Sequence, residues 1–151
     1  MTMLVEGHWL GIRDGDPRAV VLYQRHYSAN PRVSIATRVR YGISGPGQTM
    51  TLLTQDCLAL FIWQHNTTER YDHQRGVNCT VFRNESPVLS SLLIEEACDL
   101  AWQRWPEQRL FTYVWDAKVK SVNPGYCFKM AGFKYVGRNK DGRLSILEHV
   151  P

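Results

Sequence analysis

Apolar residues recur every three or four positions through residues 87–105, where Leu89, Leu92, Leu93, Ala97, Leu100, Ala101 and Trp105 share one side of a helix. Glu95, Glu96 and Asp99 lie mostly off that side, and Trp105-Pro106 ends the helix because proline cannot continue its ladder. The pattern then changes to an unbroken run at 110–115, Leu-Phe-Thr-Tyr-Val-Trp, the length of a strand buried on both faces. Asp116 closes this run and a basic connection, 118–120, leads to Asn123-Pro124-Gly125. A residue before proline is held extended and proline suits a first helical turn, so a short helix is predicted at about 124–130. Ala131-Gly132-Phe133 turns from it into another strand.

The same reading places a strand at 5–12, closed by Arg13-Asp14-Gly15-Asp16-Pro17, then a helix at 17–27 with Asp16 as its cap. Residues 32–47 carry Arg32, Arg38, Arg40 and several glycines without a clear period, which suits a substrate loop or an irregular strand. Strands follow at 48–54 and 57–65, paired as a hairpin across Thr54-Gln55-Asp56. A polar loop at 66–75 leads to a strand at 76–82, and the chain closes with strands at 134–138 and 144–150 about the turn 139–142. The fold class is α/β (α+β): a mixed sheet flanked by helices, in one domain spanning 1–151.

Composition narrows the setting. Hydrophobic residues make up 44% and charged residues 21% of the 151, and no apolar run approaches the roughly 20 residues of a membrane span. The first residues lack the basic and apolar segments of a secretory signal. Cys57, Cys79, Cys98 and Cys127 sit in apolar segments with no C-x-x-C, which suits reduced thiols in a cytoplasm. The sequons at Asn66, Asn78 and Asn84 then carry no sugar. His65, His73 and Asp72 have no standard ligand spacing, so no metal is expected. A net charge of +4 permits a polyanionic partner, and Arg38, Arg40 and Arg75 are the candidate contacts to a phosphate backbone.

Two segments carry a resemblance. The strand at 110–115 followed by Asn-Pro-Gly-Tyr-Cys-Phe-Lys-Met-Ala-Gly-Phe at 123–133 resembles the ending of GNAT-fold transferases, whose sheet is splayed at its centre. Together with Phe-Arg-Asn-Glu-Ser-Pro-Val-Leu-Ser-Ser at 82–91, it is similar to the GNAT-like proteins of bacteriophages, and among them to the Mom type. Those proteins modify adenine in phage DNA and protect it from host restriction. The resemblance covers 76–151 best; before that only His26-Tyr27-Ser28 matches, a His-Tyr pair near the first helix.

The resemblance implies a cytoplasmic protein of a bacterial host cell that acts on DNA; a homodimer is compatible with it. It also implies a catalytic set of His26, Tyr27, Arg83, Asn123 and Tyr126. A neutral imidazole can take a proton from an attacking amine, and a phenol can orient it. The tyrosine that the family often places four residues before the final Gly-Phe is Phe128 here, with Tyr126 about 200° around the helix. Glu85, Ser86, Ser90 and Ser91 occupy the place of the family's glycine-rich loop, which presents main-chain N–H groups to the pyrophosphate of acyl-CoA. The glycines are missing and Pro87 removes a donor, which argues against ordinary acyl-CoA binding; Ser86 reads equally well as a helix cap. Two other functions stay open: an acyl-CoA-dependent N-acetyltransferase of a small amine or protein, and an inactive GNAT-like binding module.

Overall fold

In the computed structural model, which describes residues 3–4, 7–66, 73–118 and 123–151, the chain opens on two short antiparallel strands, β1 (Met3–Leu4) and β2 (Trp9–Ile12). The strand expected over 5–12 is therefore shorter, and residues 5 and 6 lie outside the described residues, as do 67–72 of the polar loop (with Asp72) and 119–122 of the basic connection. Asp16 caps α1 (Pro17–Tyr23) by accepting the Arg18 N–H at 3.0 Å, with Pro17 in the first turn. The helix stops at Tyr23 rather than 27. Residues 24–26 continue in tighter turns, the His26 N–H reaching the Tyr23 carbonyl at 2.8 Å.

Residues 32–47 hold a helix, α2 (Ile35–Tyr41), where a loop or irregular strand was expected. Ser34 caps it by accepting the Thr37 N–H at 3.1 Å, and Gly42, at φ 87°, ends it. Its buried side chain is Arg38, whose guanidinium donates to Gln24 Oε1 and to the Asn30 carbonyl and lies 4.9 Å from the centre of the Tyr23 ring. An inward-facing arginine interrupts the apolar period, which hides the helix from a pattern reading.

Strands β3 (Gln48–Thr54) and β4 (Ala59–His65) form the expected hairpin, except that Cys57 lies in its turn with φ 61° rather than in the strand. Strand β5 (Val77–Asn84) leads to α3 (Ser90–Arg104). The helix starts three residues later than its apolar period suggests. Beyond it come β6 (Leu110–Trp115), a 3-10 turn at Asp116–Lys118, α4 (Tyr126–Met130), β7 (Lys134–Arg138) and β8 (Leu144–His149).

The strands form one sheet in the order β1-β2-β3-β4-β5-β6-β8-β7. Among the described strands, only β5 and β6 are parallel neighbours, because α3 returns the chain between them. One face packs α3 and α4 over a core that includes Trp9, Phe61, Trp63, Leu93, Ala97 and Phe128; the other packs α1 over Leu53, Leu60, Ile62 and Val81. Burying each of the larger side chains contributes about 1.5–3 kcal/mol. Two indoles fix α3 further: Trp9 Nε1 donates to the Leu93 carbonyl and Trp63 Nε1 to the Ala97 carbonyl, each at 2.9 Å.

Candidate active site

The parallel pair is joined only at one end. Val77, Asn78 and Cys79 register with Leu110, Phe111 and Thr112, and no further pairs form although β5 runs on to Asn84 and β6 to Trp115. At the start, Gly76 lets the two chains close: a Cβ there would stand 2.2 Å from the Arg109 carbonyl oxygen. At the point of parting, Thr80 is an extra residue in β5. Ile62 pairs with Val81 and Trp63 with Cys79, which leaves Thr80 unmatched as a bulge. The bulge reverses the alternation, so that Cys79 joins the core under α3 and Val81 the core under α1.

Between the parted strands lies a cleft of about 210 Å³. Its floor includes Cys79, Thr80 and Thr112. One wall is His26 and Tyr27 from the turns after α1, and the other is Gly125, Cys127 and Phe128 at α4. Gly125 holds φ 76° with its Cα so near Leu147 that a Cβ would come within 2.5 Å of it, so a side chain would crowd both the turn and the wall. Phe128 continues inward into a row of rings, 5.9 Å from Phe82 and 5.2 Å from Phe133 between centres. The Thr80 hydroxyl is buried and has no hydrogen-bond partner among the described residues.

The cleft carries no charge at neutral pH. Burial, with Arg83 nearby, lowers the pKa of His26 to about 4, against a hydrogen bond with the Phe82 main chain. The imidazole is neutral, and its Nδ1 accepts the Ser28 N–H at 3.1 Å with Ser28 Oγ at 2.7 Å. Its ring stacks on Tyr27 at 4.4 Å. Burial raises the Tyr27 phenol, opposed by a hydrogen bond with the Trp115 main chain. The turn after α1 thus sets His26 and Tyr27 beside the two parted strands. Burial also raises the Cys79 and Cys127 thiols, which stay protonated.

The loop between β5 and α3 is built differently. Asn84 Nδ2 donates to the Val88 carbonyl and to Ser90 Oγ, while Asn84 Oδ1 accepts from the Ser86 N–H and hydroxyl, and Ser86 Oγ accepts the Val88 N–H. Ser86 therefore shapes a turn and does not cap α3, whose cap position is Leu89 with no side-chain bond. Glu85 is held by Arg25 through two bonds, 2.8 and 3.0 Å, and by Arg83 at 2.7 Å. These bonds, Arg25 first, lower its pKa to about 2.

Of the residues that the sequence nominates, His26 and Tyr27 meet in the cleft, and Arg83 joins the end of α1 through Glu85. Asn123 and Tyr126 are not among the cleft residues: Asn123 Oδ1 accepts from Lys129 Nζ at 2.7 Å, and Tyr126 is 55% exposed. Arg38 is buried between the first two helices and offers no face to a phosphate backbone. Arg40 lies over the exposed Tyr41 ring, and Ser91 lies in the first turn of α3. The main-chain carbonyl of Arg75 accepts from Arg109. Thr80, Thr112 and Arg25 escaped the sequence reading. Only strand pairing reveals a bulge.

No family model matches the chain, and no curated protein matches it in sequence. Among solved structures, a Bordetella pertussis protein assigned to the GnaT acetyltransferase family superposes with a TM-score of 0.59 over 98% of both chains, at 9% identity. The chain has the GNAT fold. At that identity the match speaks for the fold alone. In a GNAT fold the β5–α3 loop is where acyl-CoA would set its pyrophosphate, and this loop does not fit that group. The Ser86 and Val88 N–H groups are already bonded to side chains, Pro87 has none, and the Glu85 carboxylate occupies the nearby arginines.

Proposed function

We propose that the β5–β6 cleft of this GNAT fold is a group-transfer site for an amine on a flat, neutral ring, the N6 amine of adenine in DNA. The observation that carries this reading is an uncharged cleft, walled by Tyr27 and Phe128, with one buried hydroxyl, Thr80, lacking a partner among the described residues. Aromatic walls suit stacking on a base, and an unengaged hydroxyl at the floor suits its edge. A base in a duplex must be extruded to reach such a cleft. His26, neutral and with Nδ1 engaged by Ser28, is a weak proton acceptor at neutral pH; its role is to hold Tyr27, ring on ring, across the opening.

The test is mass spectrometry of nucleosides from DNA of cells expressing the chain. A new adenine mass, lost in Thr80→Val and Tyr27→Ala, is expected; unmodified adenine with the wild-type chain overturns the reading. Calorimetry with acetyl-CoA should find a Kd worse than about 1 mM, or about −4 kcal/mol. Micromolar binding would instead favour acyl-CoA-dependent acetylation of a small amine or a protein.

A further inference from the structure

We propose that the β7–β8 turn and the end of β6 form a phosphate-binding rim for DNA, an inference that rests on the reading of the cleft given above. Residues 117–143 hold seven basic side chains and one acidic, a net of +6, while the whole chain carries +4. The remaining residues therefore balance to −2. Strand pairing gathers much of this charge at one end of the sheet. Trp115 pairs with Leu144, and Arg138 with Ser145, so the turn at 139–143 stands beside the C-terminal end of β6, where β6 has parted from β5. Lys118, Arg138, Lys140 and Arg143 thus border the splayed end.

Carboxylates offset this charge only in part. Asp116 pairs with Arg138 at 3.0 Å, and Asp141 approaches Arg143 only to 3.9 Å. Lys140 is exposed, and so is Lys118, whose ammonium lies 4.8 Å above the Trp115 ring. A groove of about 270 Å³ runs between this turn and the β4–β5 connection, lined by His73, Gln74, Arg138 and Lys140. An excess of positive charge beside a groove matches a chain of phosphates, whose bound counterions are released as lysines and arginines replace them. Arg38, in contrast, is buried.

Titration of the full chain with a labelled DNA duplex at several salt concentrations tests the rim. Wild-type affinity should fall steeply with salt. The double variant Lys140→Glu with Arg143→Glu should bind at least about tenfold more weakly, with a log–log salt slope shallower by about one for each phosphate no longer neutralised. Arg104→Gln should bind within about twofold of wild type, since one exposed charge in the last turn of α3, near the start of β6 and away from the rim, adds only a screened, long-range effect. Thermal unfolding of the double variant checks that its fold is intact. Unchanged affinity and slope in a folded double variant overturn the inference, as does wild-type binding that does not respond to salt. If the rim binds DNA while adenine stays unmodified, the rim stands and the reading of the cleft falls.

Discussion

The cleft and the β5–α3 loop both arise from β5, within a few residues of each other, and they treat polar groups in opposite ways. In the loop, Asn84, Ser86 and Ser90 bond to one another and to the main chain, and Glu85 is held by two arginines. In the cleft, the Thr80 hydroxyl is buried without a partner among the described residues. A closed network maintains a shape. A buried polar atom without a partner disfavours the unliganded fold by about 1–3 kcal/mol and is relieved when a ligand supplies the missing bond. The loop that binds an anion in GNAT-fold transferases is here a closed structural loop, and the reading proposed above assigns binding to the cleft.

The comparison breaks most severely at Phe128. Replacing it with alanine removes a wall of the cleft and a member of the ring row, and should lower stability by about 3 kcal/mol in urea unfolding. A loss below about 1 kcal/mol would mean that the wall is not part of the core.

Acid should separate the two regions in pH. In the unfolded chain His26 takes a proton near 6.5, in the folded chain only near 4, so its contribution is complete above 6.5 and is lost as pH falls toward 4. At about 1.4 kcal/mol per unit this limb amounts to about 3 kcal/mol, and His26→Gln should flatten it. Glu85 runs lower: its folded value near 2 against the usual 4.5 gives stability that is present above 4.5 and lost between there and 2. Glu85→Gln should remove only that lower limb. Unfolding curves collected from pH 7 to pH 2 decide both.

The smallest effects carry opposite signs. Thr80→Val should leave stability unchanged or raise it by up to about 1 kcal/mol, because it removes an unpartnered buried hydroxyl. Asn84→Ala should cost about 1–2 kcal/mol, because it leaves the loop's donors and acceptors without their hub. Calorimetric Tm values for the two variants moving in the same direction would dissolve the distinction.

Much of the frame was legible in the sequence. The apolar period of α3 and the unbroken run of β6 announce themselves because their burial comes from aliphatic and aromatic side chains. The helix α2 was not legible, since its inward residue is Arg38 and its Ile35 and Tyr41 are largely exposed. The end of α1 was misplaced because tight turns after Tyr23 carry no pattern of their own. At the site, His26 and Tyr27 could be named, yet Thr80 reads as an ordinary strand residue until β4 is laid beside it. Ser86 looked like a cap for the same reason: sequence spacing cannot show which of Asn84 and the helix it bonds.

The two indole bonds onto α3 have a mechanical consequence. Trp9 and Trp63 grip carbonyls one helical turn apart, from strands on the far side of the cleft's own pair. Sliding α3 along its axis would break both bonds at once, so the long helix acts as a fixed beam. Any widening of the cleft falls to the shorter parts, the turns after α1 and the five residues of α4. Their amides should exchange hydrogen faster than those of α3, whose length serves to stay still.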